Sequence, residues 1–181
     1  VNNELPTKEI QNKVNNASAE KIGNVLKAQG KDEDAAYWQA RRLFRTELNR
    51  AHGMAYQNSL EDDEDIIGTR FMLSPNHPRV DICDMHASVN RFGLGRGVYP
   101  KGKNPWPAHP NTLSYVEAVF TDEVTDEDRA TKQDRIEWLS NQSGNIRIGV
   151  LGVYKNNLLQ NDLLKETMIR SKVKTLKNRF G

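Results

Sequence analysis

Six of the seven prolines in this 181-residue chain (Pro75, Pro78, Pro100, Pro105, Pro107 and Pro110) fall between residues 66 and 112. Gly68, Gly93, Gly95, Gly97 and Gly102 lie in the same stretch. Proline removes a backbone donor and fixes φ, and glycine costs a helix about 1 kcal/mol relative to alanine, so this stretch cannot be one long helix. It reads as loops and short strands, and it carries three of the four histidines. The flanks have a different texture. From 33 to 59 the apolar residues Ala36, Ala40, Leu43, Phe44, Leu48, Ala51, Met54 and Ala55 recur at spacings of three and four, which predicts a long amphipathic helix. Leu113–Phe120 alternates and is rich in β-branched and aromatic residues, which predicts a strand. Helices are expected again over 128–140, 145–151 and 161–171. Thr7 and Ser18 are cap candidates for an N-terminal helical segment that Gly30 would stop. The expected fold is α+β: a long helix packed on a small irregular strand-containing centre, flanked by N- and C-terminal helices. The chain then divides into an N-terminal helical segment over 1–31, a core domain over 32–122, and a C-terminal helical region with a basic tail over 123–181.

Charge narrows the partners. Lysine and arginine number 26 against 24 acids, a net +2 that does not by itself make a nucleic-acid binder. The distribution says more. Glu61–Asp65 is an unbroken acidic block. The last 17 residues hold Lys165, Arg170, Lys172, Lys174, Lys177 and Arg179 against Glu166, six minus one, or +5. Such blocks are solvated loops and extended tails, or electrostatic contacts with a partner or packaged nucleic acid. No apolar run approaches the roughly 20 residues of a membrane-spanning helix, so no membrane partner is expected. The first residues show neither a basic lead nor an apolar stretch, so no secretory signal is expected. Cys83 is the single cysteine, and an intramolecular disulfide is excluded.

Two groups of residues could carry chemistry. At 100° per residue, Glu47 falls between Leu43 and Ala51, inside the apolar stripe of the long helix, while Arg45 points the opposite way. A buried carboxylate must be paired or hydrogen-bonded. Arg50, three residues on, is its local partner. Glu47 is then either an anchor for a loop or a carboxylate aimed into the histidine-rich centre as a metal ligand or base. In that centre Cys83 and His86 stand three apart, so one helical turn could point both at one ion, with His109 and Asp81 or Asp84 completing a zinc tetrahedron at roughly 2.0–2.3 Å. The alternative is a set of polar residues that hydrogen-bond each other and the loop backbone. Gly93-Leu-Gly95-Arg-Gly97 lacks the strand-before, helix-after setting of a dinucleotide loop and reads as a tight backbone turn. No Gly-x-Ser-x-Gly elbow, phosphate loop or metalloprotease helix is present.

Arg45-Thr-Glu47-Leu-Asn-Arg50-Ala51 resembles the arginine-threonine-glutamate signature of the phage Mu F-like minor head (head morphogenesis) proteins. His77-Pro-Arg-Val-Asp81-Ile-Cys83-Asp84-Met-His86, Phe92-Gly-Leu-Gly-Arg-Gly-Val-Tyr-Pro100 and Pro107-Ala-His109-Pro110 resemble their central block in order and spacing. Trp138-Leu139, Val150-Leu-Gly152 and Leu158-Leu159 are similar to the tail of many members. The likeness covers about 35–160. It implies a virion structural protein of the phage head or neck, assembled in the host cytoplasm and working through portal or capsid subunits, alone or as an oligomer. Outside the resembling span, the +5 charge of the tail adds packaged DNA as an expected contact of Arg170, Lys172, Lys174, Lys177 and Arg179. On this reading Arg45, Glu47, Arg50, Asp81, Asp84, Gly93, Gly95 and Gly97 are architectural, and no enzymatic step is implied. Members usually carry a Cys-x-Cys after the His-Pro. Here the chain runs His109-Pro-Asn-Thr112-Leu-Ser114, so a family zinc site would be reduced to Cys83, His86 and His109. The competing expectation is a metal-dependent hydrolase or toxin-like effector, such as a nuclease, using Glu47, Asp81, Cys83, His86 and His109.

Overall fold

The structure is a computed structural model, and it describes residues 33–180 together with Glu20 and Asn24. The helical segment expected over 1–31 therefore lies outside the described residues, apart from those two. The fold is α+β, with seven α-helices and a small antiparallel sheet among the described residues. In chain order these are α1 (Glu33–Ser59), β1 (Ile66–Met72), α2 (Ile82–Ser88), β2 (Val98–Pro100), β3 (Tyr115–Phe120), α3 (Asp126–Ala130), α4 (Arg135–Ser140), α5 (Gly144–Leu151), α6 (Val153–Gln160) and α7 (Val173–Phe180). None of the described helices is long and apolar enough to cross a membrane.

The chain divides into two compact units. One comprises the residues up to Ala55 together with His109–Thr112, and the other comprises Tyr56–Ala108 with Leu113–Gly181. The second unit runs across the boundary expected at 122, because the C-terminal helices share a hydrophobic core with α2.

In the first unit α1 dominates. It contains no proline and is rich in Ala, Leu, Arg, Gln and Glu, all good helix formers, and 27 residues at 1.5 Å each extend about 40 Å. Its apolar stripe is not a buried seam. Leu43 is 55% exposed, Leu48 43% and Met54 47%, whereas Ala40 is buried. Thr46 Oγ1 bonds back to the Arg42 carbonyl at 2.8 Å and accepts from Asn111 N at 2.9 Å.

In the second unit the strand order is β2-β1-β3. Thr69 faces Tyr99 on one side and Ala118 on the other, with a bulge between Ile66 and Gly68. Gly68 is required there: a Cβ would overlap the Tyr99 carbonyl. The strand read from 113–120 is β3, two residues shorter at its start. α2 lies between the sheet and the helical layer. One part of it, with Cys83, packs among Phe71, Tyr99, Trp106 and Ala108. Met85, together with Val89 just past the end of the helix, belongs to a second core with Trp138, Leu139, Leu151, Leu158, Leu159 and Leu176. Each large apolar side chain fully buried this way contributes about 1.5–3 kcal/mol.

Three helix expectations change in the second unit. The stretch 66–112, read as loops and short strands, contains the helix α2, started by the Asp81 cap. The helix read over 128–140 is two, α3 and α4, separated by a break at 131–134. The helix read over 161–171 is displaced to α6, because Asp162 takes φ 57 and ends it, and only a 3-10 turn follows at Glu166–Met168. The basic end of the chain is not an extended tail. It folds as α7, with Leu176 buried and Phe180 packed on the same core.

Candidate functional site

Four of the residues expected to carry chemistry, Asp81, Cys83, Asp84 and His86, lie on α2 or cap it, and local sequence explains why the helix starts where it does. Asp81 is its N-cap: Oδ1 accepts from Cys83 N at 2.7 Å. Asp84 returns the interaction, its Oδ2 accepting from Asp81 N at 2.8 Å, which makes a reciprocal capping box. His77 Nε2 lies 2.9 Å from the same Asp84 oxygen and 3.8 Å from Asp81 Oδ1. The ligand-capable atoms of His77, Asp81 and Asp84 fall within 4.8 Å of one another. Their hydrogen bonds are already directed at the first turn of the helix and at each other.

Along the same helix Cys83 and His86 diverge. Both are fully buried. Cys83 Sγ lies 3.9 Å from Ser114 Oγ, while His86 Nδ1 lies 3.3 Å from the Tyr99 hydroxyl. His86 belongs to no cluster of three ligand atoms among the described residues. The expectation that one turn aims both at a single ion is therefore corrected: spacing three puts both on the buried side, but each packs toward a different neighbour. His109 belongs to the first unit, where its Nδ1 lies 2.9 Å from the Pro110 carbonyl. Ser114 is buried beside Cys83.

Burial drives His86 down to about 3, and the nearby Arg135, Arg170 and Arg91 guanidinium groups push the same way against a smaller opposing effect of Asp81. It is a neutral imidazole at any ordinary pH. Tyr99, buried beside it, is pushed up to about 12 by desolvation, with Arg135 and Arg91 opposing. The Tyr99 hydroxyl donates to the His86 carbonyl at 3.2 Å, which leaves its oxygen to accept from the His86 ring. His86 Nε2 is buried with no hydrogen-bond partner. Around the pair, Glu166 bridges two arginines, 2.9 Å from Arg91 Nε and 3.6 Å from Arg135 NH1.

The glycine turn closes the other side of α2. Gly93, Gly95 and Gly97 all have positive φ, the left-handed region expected of a backbone-driven turn. Gly97 shows why no side chain fits: with φ 70, a Cβ would stand 2.6 Å from the Ala87 carbonyl. Its N–H donates to the Val89 carbonyl at 3.1 Å and its carbonyl accepts from Phe71 N at 2.8 Å, tying the end of α2 to β1. Buried Asn90 holds the turn from inside. Its Oδ1 accepts from Gly95 N at 3.2 Å, and its Nδ2 donates to the Asp128 carbonyl at 2.6 Å and to Thr131 Oγ1 at 3.1 Å. Beside this turn is a polar cleft of about 600 Å³ lined by Arg70, Arg96, Glu127 and Asp128.

Glu47 does not sit on a buried face. Its side chain is 57% exposed, and its partner is Arg50 at 3.9 Å, the i+3 residue that spacing predicts. Arg45 is also exposed. The stripe that placed Glu47 inside is itself largely solvent-facing, which removes the premise for a buried carboxylate. Sequence reasoning missed Asn90, Tyr99, Arg135 and Glu166. Asn90 ahead of a Gly-x-Gly run was a usable sign of a side chain bonding a turn, whereas no local pattern pairs Tyr99 with a histidine 13 residues earlier. No protein-family model matches the chain, and no curated protein or solved structure matches it either.

Proposed function

We propose that this chain is a virion-associated minor head protein of the Mu F-like kind, acting by contact with portal or capsid subunits and not by catalysing a reaction. The observation that carries this reading is the use of the resembling block. Asp81 and Asp84 cap α2, His86 is held neutral against Tyr99, and Gly97 and Asn90 lock the turn, so these polar groups are spent on a rigid fold. Trp38, Leu43, Leu48 and Met54 stand exposed on α1, apolar surface of the kind that protein partners cover.

A second reading, a metal-dependent hydrolase such as a nuclease, is supported by the proximity of His77, Asp81 and Asp84. One experiment separates the two. Purified particles and isolated portal rings are probed for the chain, and protein prepared without chelator is assayed for bound zinc and for plasmid nicking with added divalent metal. The proposal expects stoichiometric recovery with particles or portal and no nicking. Absence from both, together with a bound metal and nicked plasmid, overturns it in favour of the hydrolase.

A further inference from the structure

The nearly balanced net charge conceals a one-signed surface at the C-terminal end. Glu166 is the single acid in the last 17 residues, and it is held by Arg91 at 2.9 Å and Arg135 at 3.6 Å, so its charge is already matched locally. What remains on α7 and the residue before it is Lys172, Lys174, Lys177 and Arg179, all exposed, with the neutral donors Thr175 and Asn178 exposed between them. α7 does not wave free. Leu176 is 2% exposed and Phe180 packs on the same core, and Lys177 Nζ lies 5.6 Å from the centre of the Tyr154 ring on α6. Lys174 and Lys177, three apart on the helix, stand about 5–6 Å from each other, comparable to the spacing of successive phosphates along a strand, with Lys172 and Arg179 on the other flank of Leu176; the anchored helix has already lost much of the entropy that ordering a free tail would cost. Arg170 contributes less to this surface because it donates to the Ala108 carbonyl at 3.2 Å.

We infer that α7 is a nucleic-acid backbone-binding surface. Lys172, Lys174, Lys177 and Arg179 contact phosphates, Thr175 and Asn178 add neutral hydrogen bonds to the same oxygens, and no base is read. Charge complementarity selects this partner: a strand of phosphates matches an acid-free basic face, and each phosphate neutralised releases a condensed counterion. The inference stands independently of the head-assembly reading, since a basic helix of this kind would bind phosphates whatever the particle context.

The test uses the full chain and a fluorescent DNA duplex of arbitrary sequence, with affinity measured by anisotropy from about 50 to about 200 mM sodium chloride. The expected result is sequence-independent binding whose logarithm falls linearly with the logarithm of salt. The double variant Lys174→Gln and Lys177→Gln flattens that slope by about 2, at roughly 0.9 for each phosphate no longer neutralised. Lys103→Gln, an exposed lysine outside α7, leaves it unchanged. An unaltered slope in the double variant, or binding to phosphatidylserine vesicles with none to DNA, overturns the inference. So does salt-sensitive self-association without DNA that the same two substitutions abolish. Recovery of the double variant with portal or particles is scored separately, so the failure of this inference and that of the head-protein reading give different results.

Discussion

His86 shows how far a single residue's role can differ from its chemical potential. A histidine three residues from a cysteine is a common zinc arrangement, yet here the ring is completely buried and faces Tyr99, with Arg135, Arg170 and Arg91 nearby. A folded-state value near 3 against 6.5 in the unfolded chain has a definite sign: between those values the unfolded state binds a proton that the native state refuses. Stability from this group is therefore complete above 6.5 and is lost as pH falls from 6.5 toward 3. Lowering pH from about 7.5 to about 5 should cost about 2 kcal/mol through His86 alone, before most carboxylates titrate. His86→Gln, which keeps a polar side chain able to reach Tyr99, should lower stability at neutral pH but lose most of that pH dependence. Urea midpoints of both proteins at the two pH values check this, and parallel losses in the two would mean that other groups dominate the window.

At the scale of elements, the sequence marks helices and turns better than it marks what they pack against. α1 occupies the 33–59 span expected from its periodicity, because a run without proline that is rich in helix formers specifies its own backbone. Periodicity cannot say whether a partner covers the stripe, and that is why it places Glu47 inside when the side chain is exposed. The basic end misleads in the opposite way. Charge density suggests extension, but Leu176 and Phe180 at i and i+4 dock one side of α7 and leave the charges outside. α2 overturns the reading of 66–112 as loops and short strands; only its start is locally encoded, by Asp81 and Asp84 at the capping-box spacing of three. Its role as the element between the sheet and the helical layer is not, because that depends on Trp138, Leu139 and Leu176, 50 and more residues away. Two substitutions make the contrast measurable. Asp81→Ala removes the acceptor for Cys83 N and should cost about 0.5–2 kcal/mol, or a few degrees in melting temperature, while Glu47→Ala on the exposed face of α1 should stay within about 0.5 kcal/mol. A larger loss at Glu47 than at Asp81 in thermal denaturation would reverse the assignment of which carboxylate is architectural.

Over the whole molecule, the hydrophobic clusters decide what is self-sufficient. Among the described residues, the three clusters of buried apolar side chains, including the partly buried ones packed on them, are built from residues 67–180. None draws on the described part of α1 before Ala55, whose large apolar residues Trp38, Leu43, Leu48 and Met54 are exposed. The sheet, the α2 capping box, the glycine turn and the buried His86–Tyr99 pair likewise belong to the second unit. A core assembled without a segment does not need that segment in order to fold cooperatively. A fragment spanning 56–181 is about the size of a typical single domain and should unfold in one transition within a few degrees of the full chain. Near-ultraviolet circular dichroism follows this directly, since Trp106 and Trp138 are both buried in that unit. A fragment that keeps its helical signal but loses its aromatic signal would show that residues before Tyr56 are needed for side-chain packing, and the second unit could then not be treated as the rigid block on which the head-protein reading rests.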